Sequence, residues 1–400
     1  MSLDTPARIA VLGAGPIGVE ATLYARYLGY DVDLYERSHV GDHVRRWGHV
    51  RMFTPWQMNC SPLGVAALKA QDPQWQAPDA SEHPTGREFV ERYLAPLSQS
   101  DLVIDALHEE TEVLAIGRPN MLKSELFGDP ARADEPFRLL VQTSEGHQRI
   151  AEADAVIDAT GVYSQHNWMG RGGVPAAGER DLAAKIEYRL PDVAGKDRSR
   201  YAGRRLLVVG AGLSAATTIT SLATLEPACE VTWITRREPS SAPGPVSLTP
   251  DDPLAERVRC ARAANALAAT SKVRHLAGTS IESIASASKN SLLVQLSGLH
   301  EKELEVDEII ANVGYRPKLS LLSELPVAFD PATDAPLPFD RSVTSGPAAL
   351  VTTEPDFYIL GAKRRGRDSR FLLSDGHREI RDLFTILGDR VGLDLYATAR

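Results

Sequence analysis

The chain has 400 residues, of which 43% are apolar and 24% charged, so we expect a globular protein of two or three domains. Its net charge of −9 is spread without a long acidic or basic block, which argues against nucleic acid or an anionic membrane as a partner. No apolar run reaches the ~18 residues that a membrane span needs.

The three cysteines, Cys60, Cys229 and Cys260, form no C-x-x-C pair, so neither a disulfide framework nor a dithiol redox site is expected. The first strand begins within a few residues of the N-terminus, which leaves no room for a signal peptide and predicts a cytoplasmic protein.

Residues 8–37 predict a strand, a glycine turn, a helix and a second strand. A glycine turn at the start of a helix leaves N–H groups free to bind phosphate. Glu36 follows the second strand, 18 residues after Gly18, where a carboxylate can accept hydrogen bonds from the ribose hydroxyls of an adenosine. The spacing predicts a dinucleotide site, although a βαβ turn without a ligand is the alternative. Its expected contacts are Gly13, Gly15, Pro16, Ile17, Gly18, Glu36 and Arg37.

The segment 38–99 departs from a simple nucleotide-binding pattern. Residues 38–62 are rich in Gly, Pro, Trp and Arg and lack a clear period, which predicts loops with short turns. They form either a wall of the active site or a surface loop anchored by its tryptophans. Thr85 to Glu88 has the pattern of a capping box. It opens a predicted helix whose apolar face holds Phe89, Val90, Tyr93, Leu94 and Leu97. Strands are expected at 102–104 and 112–116.

An internal repeat is the second main signal. The segment 139–142 (LLVQ) recurs at 292–295, and each copy leads through a polar turn to a strand that begins with aspartate. Each of these strands ends in glycine seven residues after its aspartate, at Gly161 and Gly314. The sequence therefore predicts two units of one plan, a βαβ segment, a β-meander and a returning strand. The first copy is longer by the insert 38–99 and is expected to bind the reacting cofactor.

The second copy has its own glycine turn after the apolar run 206–209. Its following strand ends in Arg236 and Arg237, where the first copy has Glu36. Guanidinium groups pair with phosphate through two parallel hydrogen bonds, so this strand end favours NADPH over NADH. A solvated basic strand end is the alternative. The expected contacts of this site are Gly210, Gly212, Leu213, Ser214, Ala215, Arg236 and Arg237.

The last 80 residues contain an apolar strand that ends at Gly361 and a helix from about Ser374 to Leu387. The helix N-terminus is suited to an anionic ring edge, and a tail helix that packs on the first domain is an equally good interpretation. Gly161, Gly361 and Leu372 join the expected cofactor contacts.

Together these motifs resemble flavoproteins with two dinucleotide-binding domains, which bind FAD in the first and NAD(P)H in the second. The resemblance covers nearly the whole chain and implies an α/β fold of two Rossmann-like FAD/NAD(P)-binding domains. Each domain would have a parallel sheet and a β-meander, and the second would be inserted in the first. The expected boundaries are 1–175 for the FAD-binding domain with its active-site insert 38–99, 176–318 for the NADPH-binding domain, and 319–400 for the return to the FAD-binding domain.

Within this superfamily the chain resembles an outlying branch of the flavin-containing and N-hydroxylating monooxygenases, since the disulfide reductases need a cysteine pair. Trp47 stands where that group often has an aromatic residue near the flavin. The segment 58–61 (MNCS) resembles the group's Asn-x-Ser segment, whose asparagine lies near the flavin ring and the nicotinamide amide. The resemblance therefore makes Asn59 the candidate catalytic residue and a cofactor contact. A turn cap before Pro62 is the alternative for Asn59.

Two departures concern the reaction. The stretch 178–192 lacks the histidine and phenylalanine of the monooxygenase fingerprint, and Ala362 stands where many relatives have an aspartate. The leading hypothesis is an NADPH-dependent FAD monooxygenase that uses molecular oxygen on an amine, sulfur or similar soft centre of a small molecule. An NADPH-linked flavin reductase or oxidase and a non-catalytic nucleotide-binding regulator are the alternatives. The spacings of His, Cys and carboxylates predict no metal site, and assembly into a homo-oligomer is left open.

Overall fold

A computed structural model describes residues 3–238, 244–249, 251–288 and 290–399. The chain divides into two compact units. Unit 1 comprises Met1–Gln165 and Arg316–Arg400, and unit 2 comprises His166–Tyr315. The segment that forms unit 2 therefore interrupts the segment that forms unit 1. Among the residues that the structure describes, no helix is long and apolar enough to cross a membrane.

The strands, numbered along the chain, fall into two groups. Unit 1 contains β1 (Arg8–Leu12), β2 (Asp31–Tyr35), β3 (Leu107–His108), β4 (Thr111–Gly117), β5 (Phe137–Thr143), β6 (Gln148–Ala153), β7 (Ala155–Asp158) and, at the end of the chain, β16 (Phe357–Ile359). Unit 2 contains β8 (Ile186–Glu187), β9 (Arg205–Val209), β10 (Glu230–Ile234), β11 (Val273–Leu276), β12 (Thr279–Ser288), β13 (Ser291–Gly298), β14 (Lys302–Val306) and β15 (Glu308–Ala311).

The helices are distributed unevenly between the units. Unit 1 contains α1 (Pro16–Tyr27), α2 (Asp42–Arg46), α3 (Trp56–Asn59), α4 (Pro62–Gln71), α5 (Gly86–Phe89), α6 (Ala95–Ser98), α10 (Leu373–Leu387) and α11 (Leu395–Thr398), and unit 2 contains α7 (Arg198–Tyr201), α8 (Leu213–Leu222) and α9 (Ala255–Ala268). A π-helical segment, Val90–Leu94, joins α5 and α6.

The predicted internal repeat is confirmed by the sheet topology. In unit 1 the strand order of the parallel sheet is β16-β7-β1-β2-β3, and in unit 2 it is β11-β10-β9-β15-β8. Each unit also has a three-stranded antiparallel meander, β4-β5-β6 in unit 1 and β12-β13-β14 in unit 2. The predicted α/β class with two Rossmann-like units, each carrying a meander, is therefore confirmed. In each unit a glycine turn lies between the central strand and its helix, at the carboxyl ends of the parallel strands, where ligands bind in this type of fold.

One predicted strand is wrong. Leu102 and Val103 lie in a turn, and Ile104–Ala106 is a short 3₁₀ helix. The backbone N–H groups of Val103 and Ile104 both donate to the Ser100 carbonyl, so they are used within a turn and cannot pair with a strand. Val103 is nevertheless fully buried, which explains its apolar character without a strand. The strand expected at 112–116 is confirmed as β4.

The insert is held to the sheet by an apolar helix face. The capping box is confirmed, because the Thr85 hydroxyl accepts from the Glu88 backbone N–H and the Glu88 carboxylate accepts from the Thr85 backbone N–H. The predicted apolar face is buried in the core that also contains α1 and α10, and its residues are Phe89, Val90, Tyr93, Leu94 and Leu97. The insert is therefore an ordered part of unit 1, with short helices between its loops.

Candidate functional site

The first glycine turn packs tightly against the end of β7. Gly13 has φ +92°, and a Cβ there would lie 3.1 Å from both the Ala159 carbonyl oxygen and the Thr160 Cα. A Cβ on Gly18 would lie 1.8 Å from the Gly13 carbonyl oxygen. A side chain on Gly13 would press against the backbone of Ala159 and Thr160, and one on Gly18 would push α1 away from the turn, so both glycines serve close packing.

Gly15 serves a different purpose in the same turn. A Cβ on Gly15 would have no atom within 4 Å, so the position faces open space. Gly15 is the N-cap of α1, Pro16 is its first residue, and no side chain caps the helix. The free N–H groups of the first turn therefore border an open volume, which fits the phosphates of a dinucleotide.

Two segments from the end of the chain converge on Ile17, the second residue of α1. A Cβ on Gly361 would lie 3.2 Å from the Ile17 side chain, and one on Gly376 would lie 2.2 Å from it. Gly361 follows β16, and Gly376 lies in the first turn of α10. Leu372 is the N-cap of α10, the helix whose first turn contacts Ile17. The structure thus brings the predicted contacts of the N-terminal and C-terminal segments together in one region.

Glu36 lies just beyond β2 and closes the other side of the turn. Its Oε2 accepts a hydrogen bond from the Ala14 N–H at 2.9 Å, and its Oε1 accepts one from the Ser38 N–H at 2.9 Å. Burial raises the pKa of this carboxyl, and the two backbone donors act in the opposite direction. Each oxygen keeps a lone pair for a further donor such as a ribose hydroxyl. The neighbouring Arg37 is exposed and contacts His43, with 3.2 Å between Nη2 and Nε2.

Trp47 packs against the start of the insert helix. A Cβ on Gly86 would lie 2.7 Å from the Trp47 ring, so only glycine allows this contact. The indole Nε1 is buried and has no hydrogen-bond partner among the described residues. An unpaired buried donor costs free energy, which fits a residue whose partner is a bound group.

Asn59 is buried, with 1% of its surface exposed. Its Oδ1 accepts from the Thr54 hydroxyl at 2.7 Å, and its Nδ2 donates to the Thr54 carbonyl at 3.0 Å. The amide therefore fixes the loop between residues 54 and 59 and keeps one N–H that is not used in these contacts. These contacts are those of a side chain that stabilises a turn, and they fit the turn-capping role better than direct contact with a ligand.

A buried acidic group lies behind the glycine turn, and sequence reasoning missed it. Glu20 is 1% exposed and accepts hydrogen bonds from the hydroxyls of Ser61 and Tyr93. Ser61 also caps α4 by accepting from the Gly64 N–H at 2.8 Å. The available signal was a single acidic residue within the apolar helix that begins at Pro16. The signal for the missed helix α4 was a Ser-Pro pair, which is typical of an N-cap and first position.

A buried ion pair at the end of β7 was missed as well. Lys363 Nζ lies 2.5 Å from Asp158 Oδ2, in the turn that leads to the predicted contact Gly161. Gly161 has φ +68°, and a Cβ there would have no atom within 4 Å. The sequence shows Lys363 only as part of a basic stretch, so nothing distinguishes it from its exposed neighbour Arg365.

The second glycine turn has the same division of roles. A Cβ on Gly210 would lie 2.2 Å from the Asn312 carbonyl oxygen, whereas one on Gly212 would have no atom within 4 Å. Gly212 is the N-cap of α8, which again has no side-chain cap. Gly212 and Ser214 are exposed, Leu213 is half-buried, and Ala215, in the position of the third glycine, is buried in the helix interface. Unit 2 therefore offers a second open helix N-terminus.

The two arginines after β10 are exposed. Arg237 Nη1 donates to Ser247 Oγ at 2.9 Å, and Arg236 precedes it directly. Both follow Thr235, which is buried and whose hydroxyl contacts His275 Nε2 at 2.9 Å. Arg236 and Arg237 therefore follow a buried, hydrogen-bonded strand end, and both side chains are exposed to solvent.

The three cysteines are free and half-buried. Burial raises the pKa of the thiols of Cys60, Cys229 and Cys260. A raised thiol pKa lowers the thiolate fraction at neutral pH, and the thiolate is the reactive form. The described residues also contain no group of His, Cys, Asp and Glu side chains that could hold a metal ion.

Comparisons with known proteins agree with this picture. The family model of the pyridine nucleotide-disulphide oxidoreductases matches residues 134–335, which is half of the chain. A search of curated proteins found no significant match.

Solved structures of two functional kinds are similar over nearly the whole chain. A bacillithiol disulfide reductase from Bacillus cereus has a TM-score of 0.71 at 15% identity, with 96% of this chain and 99% of that chain covered. An ornithine N-hydroxylase from Kutzneria sp. 744 has a TM-score of 0.64 at 17% identity, with 96% and 99% covered. A cadaverine monooxygenase of desferrioxamine biosynthesis from Erwinia amylovora has a TM-score of 0.65 at 12% identity, with 97% and 95% covered. The expected resemblance to two-domain FAD- and NAD(P)H-binding flavoproteins is confirmed at the level of the fold, which reductases and hydroxylases share.

Proposed function

The chain belongs to the pyridine nucleotide-disulphide oxidoreductase family, and on that premise we propose that it is an NADPH-dependent FAD monooxygenase. The substrate would be a small molecule that offers an amine, a sulfur or a similar soft centre, with molecular oxygen as the second substrate. FAD and NADP(H) are the cofactors of this two-unit fold, and an oxidoreductase is the class to which its family belongs.

The residues of unit 1 fit FAD. Gly15 and Gly161 leave open space where a dinucleotide needs close backbone approach, and Glu36 keeps lone pairs for a ribose. We assign Gly13, Gly15, Pro16, Ile17, Gly18, Glu36, Arg37, Trp47, Gly161, Gly361 and Leu372 to this seat. When bound, the flavin supplies the redox chemistry, and the chain positions it and excludes water.

The residues of unit 2 fit NADPH. The open helix N-terminus at Gly212 suits a pyrophosphate. The exposed arginines after β10 suit a 2′-phosphate, since guanidinium groups bind phosphate with charge-assisted hydrogen bonds. We assign Gly210, Gly212, Leu213, Ser214, Ala215, Arg236 and Arg237 to this site.

The free thiols and their raised pKa values are the observation that favours an oxygenase over a dithiol-dependent disulfide reductase. A reductase of the dithiol type needs two thiols close together, one of them present as thiolate at neutral pH. The three cysteines are free and form no C-x-x-C pair. All three thiols have raised pKa values. A chain that takes hydride from NADPH without a dithiol passes its electrons to oxygen or to another acceptor, such as a quinone or a protein partner.

Asn59 enters the proposal as a positioning residue. Its two hydrogen bonds to Thr54 fix the segment that precedes Cys60, and its remaining N–H is available to a neighbouring acceptor. An Asn59→Ala substitution should therefore raise the ratio of hydrogen peroxide to oxygenated product. A Thr54→Val substitution, which removes only the hydroxyl donor, should change that ratio in the same direction.

A second candidate function is an NADPH-linked flavin reductase or oxidase without oxygen insertion. The buried and paired state of Asn59 favours it, because that amide is the residue from which the resemblance to monooxygenases derives its chemistry. The two candidates share the cofactors and differ in the fate of oxygen.

Two measurements separate the outcomes. The purified full chain should be yellow, and anaerobic NADPH should bleach its visible absorbance; a protein that fails to bleach would refute both candidates. Aerobic turnover with labelled oxygen and a panel of small amines and thioethers should place label in a product. Stoichiometric hydrogen peroxide with no labelled product from any panel member would favour the reductase or oxidase.

A further inference from the structure

A buried ion pair joins the carboxyl ends of β7 and β16 in unit 1. Lys363 Nζ donates to Asp158 Oδ2 at 2.5 Å and to Thr160 Oγ1 at 3.1 Å. The Lys363 side chain is 1% exposed and that of Asp158 is 0% exposed. The ammonium and the carboxylate have therefore both lost their contact with water at the edge of the sheet that carries the glycine turn.

The carboxylate of this pair organises the turn after β7. Asp158 Oδ1 accepts from the Thr160 N–H at 3.1 Å and from the Thr160 hydroxyl at 2.6 Å. The same turn supports Gly13, whose missing Cβ would lie 3.1 Å from the Thr160 Cα. It ends at Gly161, which adopts a left-handed conformation and faces open space. The ion pair thus holds a backbone segment that packs against Gly13 and ends at the open position of Gly161.

The lysine is held in place by an equally specific turn. The Leu360 N–H donates to the Asp158 carbonyl at 3.0 Å, so β16 and β7 end together. Gly361 then turns the chain with φ +75°. The following 3₁₀ turn, Gly361–Arg365, brings Lys363 to Asp158 at the end of β7. Two of the three ammonium N–H groups are used on Asp158 and Thr160, and no third acceptor occurs among the residues that the structure describes.

Stability alone does not account for such a pair. Desolvation of two charges opposes their attraction, and apolar side chains of similar volume often serve the fold as well or better. In some proteins a buried charge pair holds a neighbouring group in a defined geometry, as the outer contacts of binding sites do. The neighbouring group here is the Thr160–Gly161 turn.

We propose that Lys363 is a positioning residue of the FAD seat, which acts through Asp158 and Thr160 to hold the turn at Gly161 open for the cofactor. The inference rests on the assignment of FAD to unit 1 made above. Lys363 directly follows Ala362, which stands where many relatives have an aspartate.

The test is a titration of the cofactor-free, full-length chain with FAD, followed by flavin fluorescence, together with the denaturant midpoint of each variant. Lys363→Met removes the cation and leaves a buried carboxylate, so FAD affinity should fall at least about tenfold and the unfolding midpoint should fall as well. The double variant Asp158→Asn/Lys363→Met removes both charges. It should recover the unfolding midpoint while its FAD affinity stays at least about tenfold weaker than that of the unsubstituted chain.

Arg118→Met is the matched control. Arg118 is a buried cation of unit 1 that pairs with Glu354 at 2.9 Å, and Glu354 stays paired with Arg132 when Arg118 is replaced. Glu354 precedes β16, at the opposite end of that strand from Lys363. Arg118→Met should lower the unfolding midpoint and leave FAD affinity within about twofold of the unsubstituted chain.

The outcomes are distinguishable. FAD binding by the double variant as tight as that of the unsubstituted chain would overturn the role of Lys363 and leave the proposed function standing. A tenfold loss of affinity in the Arg118 control would also overturn it, since loss of any buried cation would then explain the effect. No FAD binding by the unsubstituted chain would overturn the proposed function itself.

Discussion

The Ser61 hydroxyl donates a hydrogen bond to the buried Glu20 carboxyl, and this contact ties the insert 38–99 to helix α1. The Tyr93 hydroxyl donates to the other carboxyl oxygen at 3.3 Å, so two parts of the insert meet on one acidic group. The titratable groups that face Glu20 are Cys60, Tyr93 and Tyr396, and none of them carries a positive charge. Burial therefore dominates and raises the pKa of Glu20 to about 7.

The first prediction is a pH dependence of stability that Glu20 causes. A carboxyl with a folded pKa of about 7 and an ordinary value of 4.5 keeps its proton in the folded state after the unfolded chain has lost it. As pH rises from about 4.5 to about 7, the Glu20 contribution to the free energy of unfolding should fall by about 3 kcal/mol. Glu20→Gln should remove this fall, because a neutral amide can still accept from Ser61 and does not titrate.

Denaturant unfolding of the two proteins at several pH values between 4.5 and 8 measures this effect. His377, whose pKa burial lowers to about 4, stabilises in the opposite sense over part of this range. The difference between variant and unsubstituted chain therefore isolates Glu20. Glu91→Gln, at an exposed position of the same insert, is the control and should reproduce the unsubstituted profile. Parallel pH profiles for Glu20→Gln and the control would contradict the prediction.

The second prediction contrasts two glycines of one turn. Gly15→Ala should fold normally, since φ is −77° and the new methyl group meets no atom within 4 Å. It should weaken FAD binding at least about tenfold, because the methyl group occupies the space that a pyrophosphate needs. Gly18→Ala places a Cβ 1.8 Å from the Gly13 carbonyl oxygen and should destabilise the fold by about 2 kcal/mol or more.

Thermal unfolding and FAD titration of both variants test this contrast. The diagnostic result is a normal melting temperature with lost affinity in Gly15→Ala. If Gly15→Ala bound FAD as tightly as the unsubstituted chain, the open volume at this turn would not be the cofactor site.

Features with a local sequence pattern, such as amphipathic periods and glycine turns, could be predicted from the sequence. Polar contacts between residues far apart in the chain could not. The glycine turns, the meanders and the apolar face of the insert helix follow from local patterns with a physical cause. Glu20 and Lys363 carry ordinary charged side chains, and their burial depends on partners 41 and 205 residues away. No local period encodes such a partner. The prediction of a strand at 102–104 was wrong because the apolar residues there are buried within a turn. An apolar run of three residues does not distinguish a buried turn from a buried strand.

The third prediction concerns nucleotide selectivity in unit 2. Removal of both guanidinium groups in Arg236→Ala/Arg237→Ala should raise the KM for NADPH about tenfold or more and leave the KM for NADH nearly unchanged. The reason is that only NADPH carries the 2′-phosphate. Arg204→Ala, at an exposed position just before β9, controls for a general loss of positive charge. Equal changes in both KM values, or the same change in the control, would contradict a phosphate site at this strand end.

The fourth prediction concerns the thiols. The triple variant Cys60→Ser/Cys229→Ser/Cys260→Ser should retain NADPH oxidation within about threefold of the unsubstituted chain, because half-buried thiols with raised pKa values contribute little thiolate. A dithiol-dependent reductase would instead lose its activity entirely, since thiol–disulfide exchange has no substitute in serine. The measurement is NADPH consumption in air and with an artificial electron acceptor.

Cys60 is the most informative single site, because it lies beside Glu20, whose charge helps raise the pKa of the Cys60 thiol. Loss of turnover in Cys60→Ser alone, with flavin still bound, would make this thiol part of the reaction and would refute the proposed oxygenase in favour of a thiol-dependent reductase.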